Sequence, residues 1–144
     1  MSKLYEQDYY GWANEQAALL RAGNLRAADI ENIAEEIESM GKGEKRELVN
    51  RLIVLLQHLL KWQFQPELRG TSWEVTVQAQ RIQIAAHMRD NPSLKPQIPD
   101  AMKQAYRVAC LQAVGETNLP KSVFPPDCPF GFHKALDENF WPGP

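Results

Sequence analysis

Only two cysteines, Cys110 and Cys128, occur in the chain. That density is too low for the disulfide framework that staples small secreted domains, and a reducing compartment is expected. Long apolar runs are also missing. The longest, Leu52 to Trp62, is interrupted by Gln57, His58 and Lys61, and it is far too short to cross a bilayer. The opening Met-Ser-Lys-Leu-Tyr-Glu-Gln-Asp has no apolar core of the kind a secretory signal needs, so a cytoplasmic location is expected. Charge of one sign does not predominate. Sixteen basic and 18 acidic residues leave a net charge of -2, and no global field attracts nucleic acid or anionic lipid.

Proline is nearly absent from the first part of the chain: of the 10 prolines only Pro66 precedes Pro92. This excludes few positions from helix up to about residue 91 and makes the last part a partly wrapping loop. Catalytic and ligand motifs are missing as well. There is no His-Glu-x-x-His, no Glu-x-x-His step, no cysteine-pair zinc pattern and no phosphate-cradling glycine loop; Gly41-Lys42-Gly43 is too short and follows no strand. Neither cysteine is joined to a histidine by a nucleophile motif. No metal and no cofactor are expected from these patterns.

What is present is helical periodicity over 144 residues that are 44% hydrophobic, enough for one core without staples. One domain spanning 1–144 is expected, with a helical core over about 5–118 and a proline-rich tail over about 119–144. Tyr5, Tyr9, Trp12, Gln16, Leu19 and Leu20 recur at helical spacing, ended by Gly23. Asp29 is a candidate N-cap for a second helix whose stripe is Ile30, Ile33, Ala34, Ile37 and Met40, before Gly41 and Gly43 break the pattern. A third helix runs from Glu44 to Gln65. Its broad face of Leu48, Leu52, Leu55, Leu56, Leu59 and Trp62, widened by Val49, Ile53 and Leu60, marks it as central, and Pro66 stops it.

In the fourth segment Trp73, Val75, Val77 and Ala79 alternate as in a strand, yet Trp73, Val77, Ile84 and Met88 also fit a helix. A solitary strand would have no partner, so helix is expected, capped by Thr71 or Ser72. Pro99 opens a fifth helix with Met102, Ala105, Tyr106, Ala109, Cys110 and Ala113 inward. A last helical turn is expected around His133 to Glu138. The tail aromatics Phe124, Phe130, Phe140 and Trp141, with Val123, pack back across the bundle. The fold class is therefore all-α, a bundle of about five helices with a proline-rich wrapping segment.

Several polar residues could carry function. Glu31, Glu35 and Glu38 form a strip beside the apolar stripe of the second helix, with Glu36 on its other edge; such carboxylates can bind metal or act as acid and base, but a solvated rim is the commoner role. His58 lies with Arg51 and Gln65 along an edge of the third helix, Lys61 further out, and a hydrogen-bonded boundary histidine is the plainer reading. Gln80 and His87 fall in the middle of the fourth helix's stripe, where polar groups either fix packing or line a pocket. Lys61, Trp62, Arg69, Trp73 and Arg81 interleave basic and aromatic side chains as nucleic-acid surfaces do, although both tryptophans are on inward stripes.

The strings DIENIAEEIESMG (Asp29 to Gly41) and LLQHLLKWQFQPE (Leu55 to Glu67), followed by Ser72-Trp73, Gln80-Arg81, Ser93-Leu94, Glu116-Thr117, Phe124-Pro125 and Cys128-Pro129, resemble the bacterial family catalogued as domain of unknown function 29. The opening Tyr5 to Arg21 resembles it too, so the likeness runs from about Tyr5 to Trp141. It implies a helical bacterial domain with no established activity, ligand or catalytic residue, and it supports helix for Ser72 to Arg89. Glu35, Glu36, Glu38, His58, Lys61 and Arg81 match the family pattern beside the core tryptophans. Members often carry another basic residue where this chain has Gly70-Thr71, which weakens the nucleic-acid idea.

Taken together, these features favour a non-enzymatic module acting through a protein partner or as a homodimer. The alternative is an enzyme, or a bundle binding a small ligand or metal, with a site built from Glu35, Glu38, His58, Gln80 and His87. Nucleic-acid binding comes third and needs a continuous basic surface containing Lys61, Arg69 and Arg81.

Overall fold

A computed structural model describes residues 4–143. Its order is α1 (Leu4–Gln7), α2 (Tyr9–Arg21), α3 (Ile30–Phe64), α4 (Thr71–Asp90), α5 (Ile98–Thr117) and α6 (Phe132–Leu136), with 3-10 turns at Pro66–Leu68, Pro92–Gln97 and Lys121–Val123. No strand occurs among the described residues, so the ambiguous fourth segment is a helix and the fold is all-α. No helix of the described residues is long and apolar enough to cross a membrane.

Four boundaries differ from the sequence expectation. The first helix is broken at Asp8, whose backbone leaves helical geometry (φ -146) while its side chain accepts from the Gly11 N–H at 3.0 Å and caps α2. The expected second and third helices are one helix, because Gly41 and Gly43 retain helical backbone between strong helix formers. At α4 the N-cap is Gly70, with no side-chain cap from Thr71 or Ser72. The last turn is Phe132–Leu136, a little earlier than placed. Gly23 does adopt the left-handed backbone (φ 72) expected after α2.

The chain divides into two compact units within α3, between Gly43 and Glu44. Among the described residues of the first, Trp12 is the one buried large apolar side chain. Polar bonds hold α2 to α3: the Trp12 indole N–H donates to Asp29 Oδ2 at 3.1 Å, and the Asp29 N–H donates to Gln16 Oε1 at 2.7 Å. These contacts use the edge of α3 bearing Asp29, Ile33 and Glu36. Ile30, Ala34 and Ile37 are turned about 100° from it and are exposed. The expected core stripe is thus largely uncovered, with Ile30 at 49%, Ile37 at 62% and Met40 at 70% exposure.

The second unit holds the main core. Leu48, Leu52, Leu55, Leu56, Leu59 and Leu60 of α3 are fully buried against Val77 and Ile84 of α4 and Ala101, Ala105, Ala109 and Ala113 of α5. The four alanines recur every fourth residue and give α5 a flat face. All six residues expected to face inward on α5 are buried. The tail packs back as expected: Phe124 and Phe130 are buried, Trp141 packs on Trp62 with ring centroids 4.4 Å apart, and Tyr106 O–H donates to the Pro125 carbonyl at 2.6 Å. Val123, by contrast, is exposed. Cys110 and Cys128 are both free thiols.

Candidate functional site

The polar residues singled out by sequence fall on both compact units: Glu35, Glu36 and Glu38 on the first, and His58, Lys61, Gln80, Arg81 and His87 on the second. On the first unit Glu36 accepts hydrogen bonds from the hydroxyls of Tyr5 and Tyr9. These bonds hold the Glu36 carboxyl below its ordinary range and push Tyr5 up to about 12. Glu35 and Glu38 are exposed, and the Glu35 charge adds to the upward push on Tyr5. Gly41 follows Ile30, Ala34 and Ile37 along one exposed line, while Glu31, Glu35, Glu38 and Lys42 form the next line on the same helix.

On the second unit Lys61 does not lie at the outer edge of the helix, as its spacing suggested, but is buried at 6% exposure. Its Nζ lies 3.1 Å from Glu116 Oε2 and 4.8 Å from the Trp73 ring centroid. Gln57 donates to the same Glu116 oxygen. His58 is half-buried, and its Nδ1–H donates to the Val54 carbonyl at 2.8 Å. Burial, against the weaker pull of that bond, holds the His58 imidazole below its ordinary value. This is the boundary histidine of the plainer reading.

Arg81 is a tail clamp. Its Nε donates to the Ala135 carbonyl at 2.8 Å and one terminal nitrogen to the Phe140 carbonyl at 2.6 Å, with the guanidinium 5.2 Å from the Trp141 ring centroid. Arg69 is engaged in the same way, through the Trp62 carbonyl at 2.7 Å. Lys61 and Arg81 are thus buried inside packing and contribute nothing to an outer basic surface, which nucleic-acid binding would require. Trp62 and Trp73 are half-buried rather than fully internal.

Gln80 and His87 part company. Gln80 Oε1 is buried without a hydrogen-bond partner among the described residues, as are Gln63 Oε1 and Arg81 Nη1. His87 is buried and heavily engaged: Nε2 lies 2.8 Å from the Glu44 carbonyl, and Nδ1 lies 3.1 Å from Glu47 Oε2. Its acidic neighbours are therefore Glu44 and Glu47, not Glu35 and Glu38. Sequence reasoning missed both. The signal was present as a Glu-x-x-Glu step at the start of the long Leu-rich stretch, but which helix face meets His87 is a matter of packing.

An apolar cleft of about 610 Å³ also opens between α5 and the tail, lined in part by Met102, Tyr106, Cys128 and Phe132. Its lining includes none of the polar candidate-site residues.

The succession of sequence strings and this all-α architecture agree with one family, whose model matches residues 4–141. The chain belongs to the family Domain of unknown function DUF29. Nearly the whole chain is covered, so both compact units of this DUF29 chain are family structure. Neither the curated proteins nor the solved structures hold a match to it. The family's description carries no activity, and a role for the chain has to be argued from its own geometry.

Proposed function

We propose that this DUF29 chain is a protein-interaction module that pairs with a second copy of itself through the first half of α3. The observation that carries this reading is the exposed line Ile30, Ala34, Ile37 and Gly41. Large apolar residues alternate there with small ones, which lets a second helix approach closely. A unit of about forty residues with one large buried apolar side chain among those described is below the size at which a core sustains itself, and association is the usual remedy.

A second copy fits better than an unrelated helix because of the adjoining line of charge. It is acidic at Glu31, Glu35 and Glu38 and turns basic at Lys42. In an antiparallel two-fold pair this flank meets its own counterpart reversed, so each Lys42 faces the acidic start of the other copy.

Sedimentation equilibrium of tag-free protein tests the reading. A dimer is expected, with Ile37→Glu and Lys42→Glu each shifting it toward monomer while far-UV helicity of the second unit is kept. A monomer across the accessible concentration range, or a dimer indifferent to both substitutions, overturns it.

A further inference from the structure

We infer that His87, Glu44 and Glu47 form a binding site for a divalent transition-metal cation of the zinc class. Glu44 and Glu47 stand one turn apart on α3, and His87 reaches them from α4. One ligand atom from each of the three lies within 4.8 Å of the others. The imidazole is buried, with 7% of its side chain exposed, while the carboxylates are about half exposed, at 48% and 46%. A cation would thus have fixed protein ligands on one side and water on the other.

The hydrogen bonds around His87 point to the same conclusion. Nε2 is 2.8 Å from the Glu44 carbonyl, an acceptor only, so Nε2 carries the proton and donates it. The lone pair of neutral imidazole then sits on Nδ1, which faces Glu47 Oε2 at 3.1 Å. Two ligand atoms at this spacing suit the edge of a tetrahedral site with metal–ligand bonds of about 2.0–2.2 Å. Asn91 Nδ2 is a donor close to Nδ1. It stands 3.5 Å from Nδ1, at the limit of a hydrogen bond, and also contacts the His87 carbonyl at 3.1 Å and Glu44 Oε2 at 3.4 Å.

A metal-ligating histidine characteristically donates its other ring N–H to a carbonyl, which orients the ring and raises its basicity; the Glu44 carbonyl does this here. Arg51 Nε is 3.2 Å from the same Glu47 Oε2, a positive charge that a cation at this oxygen has to compete with. One imidazole and two carboxylates suit zinc, iron or cobalt, whereas magnesium and calcium prefer oxygen alone. Pairing of two copies through the first half of α3 is not required for this site.

The test is isothermal titration of tag-free protein with Zn²⁺ near neutral pH, with Mg²⁺ run in parallel. Saturable uptake at one site is expected for Zn²⁺ and none for Mg²⁺ at the same concentration. Glu44→Gln and Glu47→Gln change exposed side chains and keep the fold, as circular dichroism will verify; each weakens uptake by about tenfold or more. Arg51→Gln removes a competing positive charge and tightens it. Cys128→Ser and His133→Gln leave it unchanged. The inference is overturned if Zn²⁺ is not taken up, if Mg²⁺ binds as well, if the two glutamine variants bind as the parent does, or if the Cys128 or His133 variant abolishes uptake.

Discussion

Lys61 and Glu116 are joined by an ion pair of 3.1 Å in which the two partners are unequally placed: the lysine side chain is 7% exposed and the glutamate side chain 52%. Removing the glutamate leaves a buried ammonium without its counter-charge, whereas removing the lysine leaves a carboxylate that water can reach. Glu116→Ala is therefore expected to destabilise by about 1–2 kcal/mol, reduced from the fully buried case by the glutamate's exposure. Lys61→Met keeps an unbranched stem against Trp73 and is expected to cost less. Urea denaturation of both variants checks the order, and a reversed order would show that the lysine stem rather than the charge matters.

His58 predicts a pH dependence of defined sign. Its folded value is held below the ordinary histidine value of 6.5 by burial, so the unfolded chain binds this proton more readily than the folded one. The contribution is fully present above 6.5 and is lost as pH falls from there toward the lower folded value. Stability measured by denaturant at stepped pH should decline across that interval, and His58→Gln should flatten the decline. Equal slopes in the two proteins would remove His58 as its source.

Gln80 Oε1 is a buried acceptor with no partner among the described residues, and a group in that state costs about 1–3 kcal/mol. Gln80→Met retains the unbranched shape and helix propensity while deleting the acceptor. A gain of about 1 kcal/mol is expected. A loss of that size in thermal or urea unfolding would mean that Gln80 is hydrogen-bonded in solution.

Gly41 and Gly43 lie inside α3, and a Cβ at either position meets no heavy atom within 4 Å. Alanine there should stabilise the helix by roughly 0.5–1 kcal/mol each, because glycine loses more backbone entropy on folding. Rising mean-residue ellipticity and slower amide exchange across residues 38–46 would confirm it. Unchanged exchange would show that the helix through the two glycines is not limited by their propensity.

Much of the fold was legible in the sequence where apolar periodicity was strong. The Leu48-to-Leu60 face and the Met102-to-Ala113 face read directly, because a residue that recurs on one side of a helix has nowhere favourable to go but the core. The same rule placed Ile30, Ile37 and Met40 inside, and there it failed. Periodicity locates an apolar face without saying whether the chain supplies anything to cover it. Lys61 and Arg81 were misplaced for a related reason: a long side chain can carry its charge into packing when carboxylate, carbonyl and aromatic partners converge on it, and those partners are distant in sequence.

By itself, then, the sequence determined that the chain is all-α, that its Leu-rich stretch and its alanine-bearing fifth helix supply the core, that the aromatic tail returns to it, and that the chain resembles the DUF29 family. All but the last follow from local spacing and composition; the resemblance rests on the succession of sequence strings. Only the tertiary structure decided that α3 runs unbroken past Gly41 and Gly43, that one edge of its first half stays uncovered, and that His87 meets Glu44 and Glu47 rather than Glu35 and Glu38. Those outcomes depend on which faces come together across long stretches of chain, and one-dimensional periodicity carries no information about that choice.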